Sequence, residues 1–353
     1  MPLRTNGKFW TGFPWWPVLL ALTLHVCTWF PELVEKIYGR SFYPRMGSAL
    51  RILTGWWSVS FGDLIYIAVI FFLLHRLFLL IRRRRMGRWQ SILSVICWVY
   101  VWFQLGWGMN YSRLPAEHRI GLKLSSGDTI HLRSLTARLL EKTNAYAVIR
   151  RAHLPPPAFD SLVGAARSGY ETLSHRGLLP APGPISVKRS IFGVMGNYLG
   201  YSGYFNPFTG EAQLNDAVPA VLHPFVVAHE MGHQLGFARE QEANLTGFLA
   251  ARASGDSLMR YSAYFDMFLY ANAALYRSDS MAARRHYESL APLARKDLET
   301  LRAFRIRYRT VLEELTDWWY DRFLRLNGQE QGARSYGLVV SALLALWTRD
   351  NDI

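Results

Sequence analysis

The chain has 353 residues, half of them hydrophobic and 14% aromatic, with 13 tryptophans and a formal net charge of +14. That length allows one good core plus something more, and the apolar and aromatic load is heavy for a soluble enzyme. The basic balance does not indicate nucleic acid, because no recognition signature is present and the densest basic run, RRRRMGR (82–88), is wedged between two apolar stretches.

Three stretches near the amino terminus are long enough to cross a bilayer, which takes about 20 residues of helix. They are PWWPVLLALTLHVCTWFPELV (14–34), DLIYIAVIFFLLHRLFLLI (63–81) and WQSILSVICWVYVWFQLGWG (89–108). Trp15, Trp16, Trp29, Trp56, Trp57, Trp89 and Trp107 fall near their ends, where amphipathic rings favour the membrane interface. No small-x-small cleavage site follows the first stretch, so it is expected to be a retained anchor. The arginine block then places the loop between the second and third spans in the cytoplasm. Arg4 and Lys8 keep the amino terminus there as well, and by count everything beyond about residue 109 lies outside. Residues 1–109 are thus expected to form a three-span anchor, and residues 110–353 an extracytoplasmic domain. The two cysteines, Cys27 and Cys97, both lie in the apolar stretches, so a disulfide framework and a cysteine zinc ribbon are ruled out.

Beyond residue 109 charges become frequent and apolar residues recur at helical spacing. Residues 131–152 and 159–177 are predicted as amphipathic helices separated by the breaker LPPP. ISVKRS alternates like a strand, and GYFNPFTGEAQLN (203–215) predicts a hairpin turning at NPFTG. Helices follow over about 219–236, 238–254, 257–276, 280–318 with one break, and 333–349. The last is apolar but too short to span comfortably, and is expected to be buried. The fold class is therefore mainly α: three transmembrane helices, then a mostly helical domain with a small β-sheet or hairpin.

The chemistry is concentrated in VVAHEMGHQLGFAREQEAN (226–244). His229 and His233 are four apart, so a helix projects both from one face, a spacing that lets two imidazoles reach one tetrahedral ion. Glu230 is poorly placed as a ligand but can address a water on the same metal. VVAHEMGHQL carries no charge besides that glutamate, as a buried helix lining a metal requires. Two histidines and a glutamate buried without a partner would cost several kcal/mol, which argues against a core helix with incidental polar residues. On one straight helix Glu240 would lie about 10 Å of rise beyond His233, so Gly236 must turn the chain to bring a carboxylate to the ion. Glu240 is the preferred third ligand, because Asn244 then sits one turn on and can hold a histidine N–H. Glu242 is the alternative, with Thr246 in that role. His223 is expected to be a helix-end histidine, and Arg239 a partner for Glu240 or Glu242.

These residues resemble two groups of proteins. HEMGH (229–233) followed by EQEAN (240–244) is similar to the gluzincin clan of zinc peptidases, whose pattern is H-E-x-x-H and then E-x-x-x-D. The interval to Glu240 is much shorter here, and Asn244 stands where the clan has aspartate. That resemblance implies Zn2+ held by His229, His233 and Glu240, with Glu230 as general base. WGMNYSRLP (107–115), SGYFNPFTGEAQLN (202–215), AHEMGHQLGFAREQEAN (228–244) and SYGLVVSALLAL (335–346) resemble the recurring blocks of a bacterial membrane family catalogued as domain of unknown function 3810. This implies one continuous protein of the bacterial inner membrane and no particular substrate.

The expected function is that of a membrane-anchored zinc metalloendopeptidase, in which Glu230 takes the proton of a zinc-activated water. The expected partners are the lipid bilayer and a peptide or protein substrate outside the cytoplasm, with no nucleic acid. The hairpin offers an edge for an extended peptide, and Tyr204 and Tyr336 are candidates for assisting the oxyanion. A zinc-containing membrane sensor or assembly protein is the main rival. A transporter is less well supported, because the spans carry few ionisable residues: His25, His75 and the adjacent Arg76, with Glu32 and Asp63 near ends.

Overall fold

A proline sets the course of the N-terminal chain. The residue before a proline is pushed out of the helical region, and Phe30, before Pro31, has φ −119° and ψ 77°. In the computed structural model, which describes residues 15–83, 89–124, 128–149, 158–327 and 336–350, helix α1 (Trp16–Cys27) therefore stops after 12 residues. Helix α2 (Pro31–Leu33) restarts the chain and runs through π-helical turns (Val34–Phe42) into α3 (Tyr43–Gly55). The two legs are bent by 102°. Residues 1–14 and 84–88, which include Arg4, Lys8 and most of the arginine block, lie outside the described residues.

The expectation of three spans is corrected. Among the described residues, one helix is long and apolar enough to cross a membrane: α4 (Phe61–Arg83), through its stretch Phe61–Leu79 of 19 residues. A bent α1–α3 pair taken as one span would make two. Helix α5 (Trp89–Gly106) offers only the shorter stretch Ile92–Gly106. Its last turns are drawn into the protein, with Val101 and Gln104 buried. Helices α1 and α5 pack together through Trp16 and Trp98, whose rings meet edge-on at 4.5 Å.

The remaining chain is helical around a three-stranded sheet. A short 3-10 turn (Gly108–Ser112) leads to α6 (Ala116–Arg119), α7 (Thr129–Ile149) and α8 (Phe159–His175). Strand β1 (Val187–Arg189), helix α9 (Gly193–Tyr198) and strands β2 (Gly203–Phe205) and β3 (Ala212–Leu214) follow. The hairpin forms as the turn chemistry predicts, β2 antiparallel to β3, while β1 joins β3 in parallel. The order β1-β3-β2 leaves β2 at an edge.

Helices α10 (His223–Gln234), α11 (Glu240–Ala253), α12 (Ser257–Ser278), α13 (Ser280–Glu288), α14 (Pro292–Tyr308), α15 (Val311–Leu326) and α16 (Tyr336–Asp350) complete the chain. The stretch 280–318, expected to break once, breaks twice. Pro292 opens α14, and Thr310 caps α15 by accepting from the Glu313 N–H, a T-x-x-E start. Helix α16 is a core helix, with Val339, Leu343 and Leu346 buried. Helix α10 is apolar on nearly every side and correspondingly buried. It lies between α8, α11, α12 and the sheet.

The boundary expected at residue 109 runs through a shared core. Tyr38 and Tyr43 pack with Trp107, Met109, Tyr111, Ala238 and Leu324 in one buried cluster. Arg51 donates to the Gln234 carbonyl at 2.8 Å, and Glu35 pairs with buried Arg113 at 2.8 Å.

Candidate metal centre

The turn after α10 builds the site. Gly236 has φ +85°, a conformation glycine adopts without penalty. Its N–H donates to the His233 carbonyl at 2.8 Å, and the Phe237 N–H donates back to the Gly232 carbonyl at 3.2 Å. This is the paired closure of a Schellman turn. The reversal starts α11 at Glu240, which swings back over α10. A Cβ on Gly236 would fall 2.7 Å from Arg113 Nη1, 2.8 Å from Asn110 Oδ1 and 2.8 Å from Tyr43 Cε1. Gly236→Ala is accordingly expected to destabilise the protein by about 2 kcal/mol and to weaken metal binding about 10–100-fold. Thermal unfolding and zinc titration of the full chain check both effects.

His229, His233 and Glu240 come together, with one ligand atom from each lying within 4.8 Å of the others. His229 Nε2 is 3.3 Å from Glu240 Oε2, and His233 Nε2 is 3.7 Å from Glu240 Oε1. A tetrahedral zinc ion with bonds near 2.05 Å spaces its ligands roughly 3.4 Å apart, so the group fits such an ion with little rearrangement.

The far side of each ring is fixed. His233 Nδ1 lies 2.7 Å from the Phe237 carbonyl, which can only accept, so Nδ1 carries the proton and Nε2 faces Glu240 with its lone pair. His229 Nδ1 lies 2.9 Å from Asn244 Oδ1, the contact expected for an asparagine one turn beyond Glu240. Such partners orient metal-binding imidazoles. The Trp107 ring stands edge-on to His233 at 5.7 Å, and the Tyr43 hydroxyl donates to the His233 and Gln234 carbonyls at 3.4 and 3.3 Å.

Electrostatics polarise the cluster. Burial opposes charge on His229, but the Glu240 hydrogen bond and charge hold its pKa above the ordinary histidine value. Burial pushes His233 down to about 4. Burial would raise Glu240, but the bond from His229 and the charges of both imidazoles pull it below the usual carboxylate range. Burial pushes Glu230 up to about 8, with His229 opposing the shift and Glu240 adding to it.

Glu230 is 4% exposed, and its Oε2 has no hydrogen-bond partner. Its Oε1 lies against Gly203, where a Cβ would come within 2.6 Å, so only a residue without a side chain lets the β2 edge sit beside this carboxylate. Both line a cleft of about 1230 Å³ that also exposes His229, His233, Glu240 and Asn244.

Other expected residues are placed elsewhere. Glu242 points away from the imidazoles, accepting from the Ala116 N–H at 3.0 Å and Arg239 Nη1 at 2.8 Å, with Arg119 at 3.4 Å. Arg239 therefore partners Glu242. His223 sits at the start of α10, its Nε2 2.9 Å from the Val218 carbonyl. Tyr204 lines the cleft, but its hydroxyl is held by Asp63. The Tyr336 side chain lies outside those described. The tyrosine that meets the centre is Tyr320 of α15, whose hydroxyl donates to Glu240 Oε1. It lies 80 residues from its partner, and no local spacing marks it.

Fold and site together define a predominantly helical protein with a His-His-Glu group able to hold a metal ion. A family model described as a protein of unknown function (DUF3810) matches residues 38–344, and the chain belongs to that family. The match runs from the π-helical turns into α16, across the shared core. No curated protein and no solved structure matches the chain.

Proposed function

We infer that this protein is a membrane-anchored zinc metallopeptidase. The observation that carries the reading is the buried, unpartnered Glu230 Oε2 on the wall of the cleft beside His229, His233 and Glu240. A site that merely stabilised the fold has no use for a non-ligand carboxylate there, and an orphaned buried oxygen is costly unless something else uses it.

His229, His233 and Glu240 would hold the ion, which when bound supplies a Lewis acid that polarises a carbonyl and acidifies water. The chain's own groups do the rest. Glu230, whose carboxylate form a bound cation would favour against burial, accepts a proton from the attacking water on its free oxygen as the new C–O bond forms. It delivers that proton to the leaving amine as the C–N bond breaks. The exposed edge of β2, at Gly203–Phe205, holds an extended peptide beside Glu230 by backbone hydrogen bonds. Tyr320 orients Glu240 by donating to it. Helix α4 anchors the protein in the bilayer with the arginine block on the cytoplasmic side, and α5 carries the chain back to the side of the cleft.

The test uses the full chain, because Tyr43, Arg51 and Trp107 belong to the site's buried surroundings. Purified in detergent, it is expected to carry one zinc per chain and to cleave unfolded casein, with activity lost to a zinc chelator and restored by zinc. Absence of stoichiometric zinc, or casein left intact by the zinc-loaded protein, overturns the reading.

A further inference from the structure

Two walls of the cleft are made by helices whose other faces are apolar and exposed. Helix α4 contributes Tyr66, Val69 and Ile70. Val69 and Ile70 are also 47% and 51% exposed, and the surface continues outward through Phe71 and Phe72. Across the opening, α15 contributes Thr316, Asp317 and Tyr320. Helical periodicity places Leu312, Leu315, Trp318 and Trp319 roughly 80–160° round α15 from Tyr320, and all four are more than half exposed. In a water-soluble domain an amphipathic helix turns its apolar stripe inward. Here the face with Thr316, Asp317 and Tyr320 meets the cleft, seated by buried Leu324, while a second apolar stripe with its tryptophan pair looks out, the arrangement of a helix lying in a membrane interface.

Depth follows from the same residues. At 1.5 Å per residue the apolar stretch Phe61–Leu79 is roughly 28 Å long, close to the hydrocarbon thickness of about 30 Å. Tyr66 to Ile70 then lie about 8–14 Å along it, on the catalytic side of the bilayer midplane. The cleft thus opens between a spanning helix and an interfacial one, at the level of the lipid.

Resting on the peptidase reading above, we propose that the substrate is a membrane-borne polypeptide, taken laterally through the gap between α4 and α15 and cut at a bond within a few residues of where it leaves the bilayer. A cleft facing bulk solvent some 35 Å above the lipid would demand about 10 extended residues between anchor and bond. A cleft at lipid level takes the bond with almost no spacer.

The test reconstitutes the zinc-loaded full chain in phosphatidylethanolamine–phosphatidylglycerol vesicles and supplies a quenched fluorogenic peptide library with a randomised core. The same library is prepared in three forms: free, palmitoylated three residues from the core, and palmitoylated through a flexible spacer of about 40 residues. The short tether is expected to be cut at least about tenfold faster than either other form, more than the gradual loss of effective concentration with linker length explains. Equal cleavage of the free and short-tethered forms, or faster cleavage of the long-tethered form, overturns the membrane-borne substrate and leaves the peptidase reading standing. If none of the three forms is cut, the peptidase reading falls and this inference falls with it.

Discussion

Glu230→Gln is expected to keep one zinc per chain and to lower kcat by about 10²–10⁴-fold, the range general acid–base catalysis contributes. Glutamine has the shape of glutamate, so it fits against the Gly203 backbone and leaves α10 in place. The imidazoles do not depend on it, because their outer nitrogens are held by Asn244 and Phe237 and their inner nitrogens face Glu240. What the amide cannot do is accept a proton and pass it on. Metal content and steady-state hydrolysis measured on the same preparation separate the two roles. A variant that keeps the wild-type rate removes Glu230 from the reaction, and one that loses its zinc makes Glu230 part of the ligand set instead.

The features that could be read in the sequence are the local ones. The i, i+4 histidines, the glycine that must turn the chain and the carboxylate beyond it share a stretch of 12 residues, and helix geometry alone brings them together. The hairpin turning at NPFTG and the buried α16 are likewise set by short-range pattern. The N-terminal spans differ from the sequence pattern because apolar composition does not by itself fix conformation. The run 14–34 is largely apolar, with His25 and Glu32 its only acidic or basic side chains, but Pro31 denies Phe30 a helical backbone, and one expected span becomes two legs at a wide angle. What could not be read is contributed from far along the chain. Tyr320, Trp107, Tyr43 and Arg51 reach the site through contacts between residues 80 to 190 apart, and no periodicity encodes such a meeting. Thr310 did leave a local signal, its T-x-x-E cap, and with it the start of the helix that carries Tyr320.

The two glutamates of α11 are expected to fail in opposite ways. Residues 240 and 242 are roughly 200° apart around a helix, so one carboxylate facing the ion turns the other away. Glu240 is the first residue of α11, partly open to the cleft, and its contacts are His229, His233 and Tyr320. Glu240→Gln removes the negative charge from the metal group and its ion pair with His229, but no contact that ties helices together. Losing an outer partner of a metal ligand costs 10–100-fold in affinity, and losing a ligand costs more, so zinc affinity is expected to fall by well over about 100-fold, while the metal-free protein, whose His229 can shed its proton, loses less stability than it does in Glu242→Gln. Glu242 is 2% exposed and ties α11 to α6 through the Ala116 N–H, Arg119 and Arg239. Glu242→Gln leaves two poorly solvated guanidinium groups without their counter-charge, a change worth about 3–5 kcal/mol. It is expected to lower the melting temperature sharply, while the folded fraction still binds one zinc. Zinc titration alongside thermal unfolding of both variants decides the matter. The reverse pattern, with metal lost from Glu242→Gln and stability lost from Glu240→Gln, would move the third ligand to Glu242 and require α11 to be rotated by about half a turn from where Gly236 now sets it.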